Sequence, residues 1–173
     1  MHNIILASKS KVRKKILTKY GINCTVEPAN IDEERFKISM IKNEASPEII
    51  SKNLAELKAN KISQKKNEEI VLGADSVIDL NGEIISKPSS RKEALEILKK
   101  LNGRKHYLIS SVCMSKNGSM IWHYTDKAAL TMKKMSDKEL KKYLEKISDE
   151  ALFAYNVYQI EGEGRTLFSN IEG

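Results

Sequence analysis

Asp75 sits in the apolar run Ile70-Val71-Leu72-Gly73-Ala74-Asp75-Ser76-Val77-Ile78, where a carboxylate is costly to bury unless it meets a cation, a metal ion or several donors. Two readings compete for it: a strand-end Asp bonded to a neighbouring loop, or a metal ligand or general base. The apolar surroundings favour the second. Gly73 beside it would let a ligand approach the backbone closely. Ser8 and Ser10 follow a short apolar run and lead into Lys11, Arg13, Lys14 and Lys15. Those cations crowd the start of an expected helix, where the macrodipole already places about half a positive charge. A bound phosphate resolves the conflict, since backbone N–H groups, both hydroxyls and the Arg13 fork would serve one anion. In the competing reading Ser10 is only an N-cap and the cations are solvated; the segment alone leaves both open.

Lys87 precedes Pro88, which restrains the backbone before it and holds the ammonium at a fixed place; alone it passes for a surface lysine. Asp32-Glu33-Glu34 is an acidic cluster in a basic chain. Such a triplet is usually solvated, but with Asp75 it would complete an all-oxygen site suited to Mg²⁺ or Mn²⁺. Cations for phosphates and carboxylates for a divalent ion are the two halves of a nucleotide-processing site.

These residues need elements to hold them. Asn3 to Ala7 reads as a strand, and Val12, Ile16, Leu17 and Tyr20 recur at helical spacing until Gly21. A second strand is expected over Ile22 to Glu27, and the polar stretch Pro28 to Ser46 reads as a long loop or a loosely helical excursion. Pro47 opens a helix lined by Ile50, Leu54, Leu57 and Ile62, with Lys52, Lys58 and Lys61 on its other faces. Ile70 to Leu80 is the expected central strand, paired with Glu83 to Ser86 across a type I′ Asn81-Gly82 turn. Ser90 with Glu93, and Ser136 with Glu139, form capping boxes for two further helices. Between those helices, Tyr107 to Met114 and Met120 to Met132 flank Asn117-Gly118 as a second hairpin. Ala151 to Gly173 has β character. The sum is a mixed α/β sheet with hairpins and flanking helices.

Composition narrows the function. The 173 residues are 40% apolar, 31% charged and 6% aromatic, which suits one domain of the usual size, about 100–150 residues. No run approaches the roughly 20 apolar residues of a membrane span, and the N-terminus lacks a signal-peptide pattern, so a soluble cytoplasmic protein is expected. Thirty Lys and Arg against 23 Asp and Glu leave a net charge of +7, which predicts an anionic partner. Cys24 and Cys113 lack zinc-site or redox spacing and read as two small buried thiols. His2, His106 and His123 are scattered, leaving no zincin-like signal.

Taken in order, Leu6-Ala7-Ser8-Lys9-Ser10 with Arg13, Asp32-Glu33, Leu54-Ala55 with Lys58, Gly73-Ala74-Asp75, Gly82-Glu83-Ile84 with Lys87-Pro88, and Leu101-Asn102-Gly103 with His106 resemble the Maf family. That family contains nucleoside triphosphate pyrophosphatases. Tyr158 to Gly162 and Ile171-Glu172-Gly173 resemble its C-terminal half. The resemblance implies a two-lobed single domain of the Maf/ITPase-like kind over residues 1–173, with an elongated sheet and a nucleotide cleft. It implies hydrolysis of a nucleoside triphosphate to monophosphate and pyrophosphate with a divalent cation, Mg²⁺ or Mn²⁺. Asp75 matches the proton acceptor and Glu33 its acidic partner at the metal. Ser8, Ser10 and Arg13 would hold phosphates, while Lys58 and Lys87 would neutralise the triphosphate.

Departures bear on the base. The family turn Ser-Pro-Arg-Arg or Ser-Pro-Trp-Arg reads Ser10-Lys11-Val12-Arg13 here, so Val12 occupies a position tied to base preference. Members preferring dTTP and UTP carry Gln before Gly; this chain has Glu161-Gly162, which resembles the branch acting on 7-methyl-GTP. A carboxylate accepts two hydrogen bonds from the guanine N1–H and N2–H₂ edge. Ser76, where pyrimidine members often have Thr, pulls toward dTTP and UTP. Relatives continue past Ile-Glu-Gly toward Gly-Leu-Pro, so a short C-terminal tail is expected to be missing. The competing classes are a basic nucleic-acid-binding module and a non-catalytic Maf-like interaction protein. Trp122, the three Phe and the six Tyr show no interleaving with basic residues, which disfavours nucleic acid. A membrane partner is not expected, and a homodimer is a further option.

Overall fold

The computed structural model describes residues 4–173; Met1, His2 and Asn3, the expected start of the first strand among them, lie outside the described residues. The elements run β1 (Ile4–Leu6), α1 (Lys11–Lys19), β2 (Cys24–Val26), α2 (Glu33–Lys42), α3 (Pro47–Ser63), β3 (Ile70–Leu80), β4 (Glu83–Ile85), α4 (Arg91–Leu101), β5 (Lys105–Lys116), β6 (Ser119–Met132), α5 (Asp137–Glu145), α6 (Asp149–Tyr155), a 3-10 turn (Glu163–Leu167) and β7 (Phe168–Glu172). Seven strands form one mixed sheet in the order β2-β1-β3-β5-β6-β7, with β4 paired to β3 off that path. β1 is parallel to β2 and β3, placing Leu6 opposite Val26 and Leu72. β4 returns antiparallel on β3, and β7 antiparallel on β6. Asn81 and Gly82 take φ of 53° and 88°, Asn117 and Gly118 take 51° and 82°, the paired positive angles of the expected type I′ turns.

Two segments differ from the sequence expectation. Residues 28–46 contain a regular helix, α2, capped by Asp32, whose carboxylate accepts from the Arg35 N–H at 3.1 Å. Its apolar periodicity is weak because Lys37 is the residue it buries. Residues 151–173 hold most of α6, the 3-10 turn and only one strand, β7. Ser148 starts α6 by accepting from the Ala151 N–H, with Asp149 and Glu150 in the first turn, a capping signal that the aromatic, β-like composition masks. Ser136 and Glu139 make a full capping box. Ser90 caps α4, but the Glu93 carboxylate turns to the Ser89 N–H and hydroxyl, so that box is shifted by one residue.

The described residues divide into two compact units. The first runs up to Val77 and includes Ile109–Asp126; its core gathers Ile5, Ala7, Ala55, Ala59, Ile62, Val71 and Cys113. Small residues let α3 approach β3 closely: a Cβ on Gly73 would lie 2.1 Å from the Ala55 carbonyl oxygen and 2.8 Å from the Ala59 nitrogen. Gly73 therefore serves helix packing rather than the approach of a ligand. Burial pushes the Cys113 thiol up to about 11, so it is inert, and Cys24 is half-buried rather than buried. The second unit, Ile78–Leu108 with Lys127–Gly173, is the more apolar, with Leu98, Leu101, Leu130, Leu140 and Leu152 wholly buried. Each such side chain contributes about 1.5–3 kcal/mol by leaving water.

Candidate active site

The first unit carries six of the expected residues on four elements, β3, α3, α2 and α1, and the turn after β1. Asp75 lies on β3 between the buried Ala74 and the exposed Ser76, its own side chain turned inward and the residue 4% exposed. α3 presents Leu54, Ala55, Lys58, Ala59 and Ile62 as one buried stripe, so Lys58 points into the protein and not, as its charge suggests, among the solvated lysines. Its ammonium donates to Asp75 Oδ1 at 2.7 Å, to Glu33 Oε1 at 2.9 Å and to the Ala74 carbonyl at 3.4 Å. Three donors meet three acceptors, which offsets the cost of burying both charges. Asp75 Oδ2 is buried with no hydrogen-bond partner. A buried acceptor left open costs about 1–3 kcal/mol and marks where this site can still bind a donor or a cation.

The acidic triplet divides its labour. Asp32 caps α2, Glu33 reaches Lys58, and the exposed Glu34 lies 3.7 Å from Lys37. In the Ser-rich turn the N-cap is observed directly. Ser10 is an N-cap, its hydroxyl oxygen accepting from the Arg13 N–H at 3.2 Å. Ser8, buried, accepts from the Ser10 N–H at 3.2 Å and from Arg13 Nη1 at 3.1 Å, which leaves its own O–H to donate. Arg13 Nη1 also donates to the Ala74 carbonyl at 2.8 Å. The Ala74 carbonyl is thus shared by Arg13 and Lys58, linking the turn to the carboxylate pair. Arg13 Nε and Nη2 and the Ser8 hydroxyl proton are donors suited to an anion.

A profile described as Maf-like protein matches residues 3–173. The chain belongs to the Maf family. A nucleoside triphosphate pyrophosphatase from Pelagibacter ubique (strain HTCC1062) is 71% identical over 170 residues, spanning 98% of this chain and 87% of its own. A 7-methyl-GTP pyrophosphatase from Bartonella quintana (strain Toulouse) is 39% identical over 170 residues, spanning 98% of this chain and 85% of its own. A solved HAM1 protein from Coxiella burnetii aligns with a TM-score of 0.48 at 16% identity, covering 76% of this chain and 73% of its own.

The remaining Maf motif residues fall differently. Ser76, next to Asp75, projects from the opposite face of β3 and pairs with the Ser110 hydroxyl at 2.9 Å. Val12 is half-buried on α1. Lys87 and Glu161 belong to the second unit, and both are exposed. Two supports have no motif signal. The Ser51 hydroxyl, buried on α3, lies 3.2 Å from the Asp75 carbonyl and 3.4 Å from that of Ile109, fixing the backbone at Asp75. The shared Ala74 carbonyl is a backbone group, invisible to residue typing; only the Gly-Ala-Asp spacing hints at it.

Proposed function

We propose that this Maf-family chain hydrolyses the α–β anhydride of a nucleoside triphosphate, releasing nucleoside monophosphate and pyrophosphate. The observation that carries this reading is Asp75: a buried carboxylate locked on Lys58 by one oxygen, with the other left open, on the residue that follows the Ala74 carbonyl held by Arg13. Its Oδ2 accepts the proton of the attacking water as the water oxygen bonds to the α-phosphorus. The bond from that phosphorus to the bridging oxygen breaks, and pyrophosphate leaves with the electron pair. Ser8, Ser10 and Arg13 bind the phosphates, and positioning with charge neutralisation supplies most of the rate. Lys58, which the family resemblance assigns to the triphosphate, also donates to Asp75 and Glu33 and so holds both carboxylates and offsets their charge. That the Pelagibacter and Bartonella relatives bear pyrophosphatase names supports the same reading.

Asp75 and Glu33 offer hard carboxylate oxygens of the kind Mg²⁺ or Mn²⁺ takes, and the open Oδ2 would meet such an ion through an intervening water, which leaves it able to take a proton. No group of three or more potential ligands occurs among the described residues, so phosphates and water would complete the sphere, as is usual for Mg²⁺. When bound, the cation supplies further neutralisation of phosphate charge.

Lys87 is assigned to the triphosphate and Glu161 to the base, with Val12 and Ser76 at the other specificity positions; these roles rest on the family resemblance. A guanine-type base, 7-methyl-GTP above all, is favoured by Glu161, whose carboxylate suits two guanine donors. A dTTP or UTP substrate is the second reading, favoured by Ser76. Removal of modified nucleotides is the role that fits, in the cytoplasm where the substrates are. No helix among the described residues is long and apolar enough to cross a membrane. A homodimer is one option for its assembly, and nucleic acid is not the expected partner; sedimentation and a duplex-binding titration check both. The deciding assay is pyrophosphate release with Mg²⁺ or Mn²⁺ across canonical and modified triphosphates. No turnover of any of them would sink the reading.

A further inference from the structure

Asn156, the residue that ends α6 in the second unit, sits at φ 76° and ψ −169°, a region essentially reserved for glycine. It is nevertheless an asparagine, and it is buried. Its amide accounts for the choice. Oδ1 accepts from the Val157 N–H at 2.8 Å, and Nδ2 donates to the Ile85 carbonyl at 3.3 Å; a carbonyl facing one end and an N–H the other fix the orientation of the amide. Glycine would take this backbone without strain and make neither bond.

Both bonds bear on residues with assigned roles. Ile85 ends β4, two positions before Lys87 and three before the buried Pro88. On the other side, Val157 and Tyr158 are buried. The Tyr143 hydroxyl donates to the Val157 carbonyl at 2.9 Å, and the Tyr158 hydroxyl meets His106 Nε2 at 3.0 Å. The far end is closed by Gly164, where a Cβ would lie 2.5 Å from the Gln159 carbonyl oxygen and 2.6 Å from its nitrogen. Glu161 is therefore the exposed tip of a short loop gripped at both ends, and Asn156 is the grip that also holds the strand leading to Lys87.

We propose that Asn156 is a positioning residue for base selection, tying the Val157–Gly162 loop that carries Glu161 to the β4 segment that leads to Lys87. The inference rests on the pyrophosphatase reading and adds to it a residue that touches neither phosphate nor base. Strain at Asn156 persists because its two hydrogen bonds and the packed residues around it over-determine the geometry.

The test compares wild type with Asn156→Gly in the full chain, by amide hydrogen exchange and by pyrophosphate release from 7-methyl-GTP, GTP and UTP. The variant removes the side-chain bonds and leaves a residue at ease with the backbone. Exchange over Val157–Gly162 is expected to rise about tenfold while α4 and α5 keep their protection. The ratio of kcat/KM between the preferred and the poorest base is expected to shrink about fivefold, through KM rather than kcat. An unchanged ratio and KM would overturn the proposal, and so would loss of protection throughout the unit, since Asn156 would then hold up the fold and not the loop. Absence of turnover by the wild type would instead refute the pyrophosphatase reading. The exchange data would still decide whether Asn156 grips the loop, faster exchange at 157–162 supporting it and unchanged exchange overturning it.

Discussion

Lys58 Nζ lies 2.7 Å from Asp75 Oδ1, with both side chains less than a tenth exposed. Their proximity depends on α3 lying against β3 at Gly73, so packing and chemistry are coupled at this point. Removing one member of a buried pair leaves the other uncompensated, which costs about 3–5 kcal/mol. Lys58→Met is expected to lower the unfolding free energy by about 3 kcal/mol, and a double-mutant cycle with Asp75→Asn to show coupling of about 2 kcal/mol. Urea denaturation measures both; strictly additive effects would mean that the pair does not matter to stability.

Gly73→Ala places a methyl group 2.1 Å from the Ala55 carbonyl oxygen and 2.9 Å from Ala59 Cβ. The first of these neighbours is backbone and cannot turn away, so α3 must shift. Overpacking of this kind costs about 1–3 kcal/mol, and here it also carries Lys58 away from Asp75. Melting temperature and pyrophosphate release should fall together. Full activity in a destabilised variant would show that the helix shift does not reach the site.

Burial pushes the His106 imidazole down to about 4 from 6.5. The fold favours neutral His106, whereas the unfolded chain takes up a proton as pH falls below 6.5. The stabilising contribution is therefore intact above pH 6.5 and is lost as pH falls toward 4, about 3 kcal/mol in all. Urea midpoints of wild type and His106→Gln, followed from pH 7.5 to 4, should converge toward acid. Parallel curves would rule His106 out as the titrating group.

Glu161→Gln keeps the size of the side chain and exchanges one acceptor oxygen for an N–H₂ donor, which suits the mixed edge of uracil or thymine. Its kcat/KM for 7-methyl-GTP relative to UTP is expected to fall about tenfold, the scale of one hydrogen bond. An unchanged ratio would remove Glu161 from base selection.

Much of this was legible in the sequence, for identifiable reasons. Asp75 stands out because a carboxylate inside an apolar run violates burial rules, and both Asn-Gly turns declare themselves through their φ requirement. Lys58 is different: its charge suggests solvent, and only the chain-distant carboxylates of Glu33 and Asp75 explain why it is buried. α2 was hidden because its buried position is Lys37 rather than an apolar residue. Ser10 illustrates a shared signal, since an N-cap and a phosphate ligand need the same hydroxyl at the same place. Asn156 carries no motif; its importance lies in a backbone angle that nothing in the local composition requires.

In the proposed reaction Asp75 takes the proton from the water that attacks the triphosphate. The most direct measurement is steady-state pyrophosphate release by Asp75→Asn against wild type, with Mg²⁺ and a saturating triphosphate, in protein shown to be folded. Asn still offers an oxygen to Lys58 but no longer takes a proton, so kcat should fall at least about 100-fold, the usual worth of a general base, with KM changed little. Turnover within a few-fold of wild type would contradict the account.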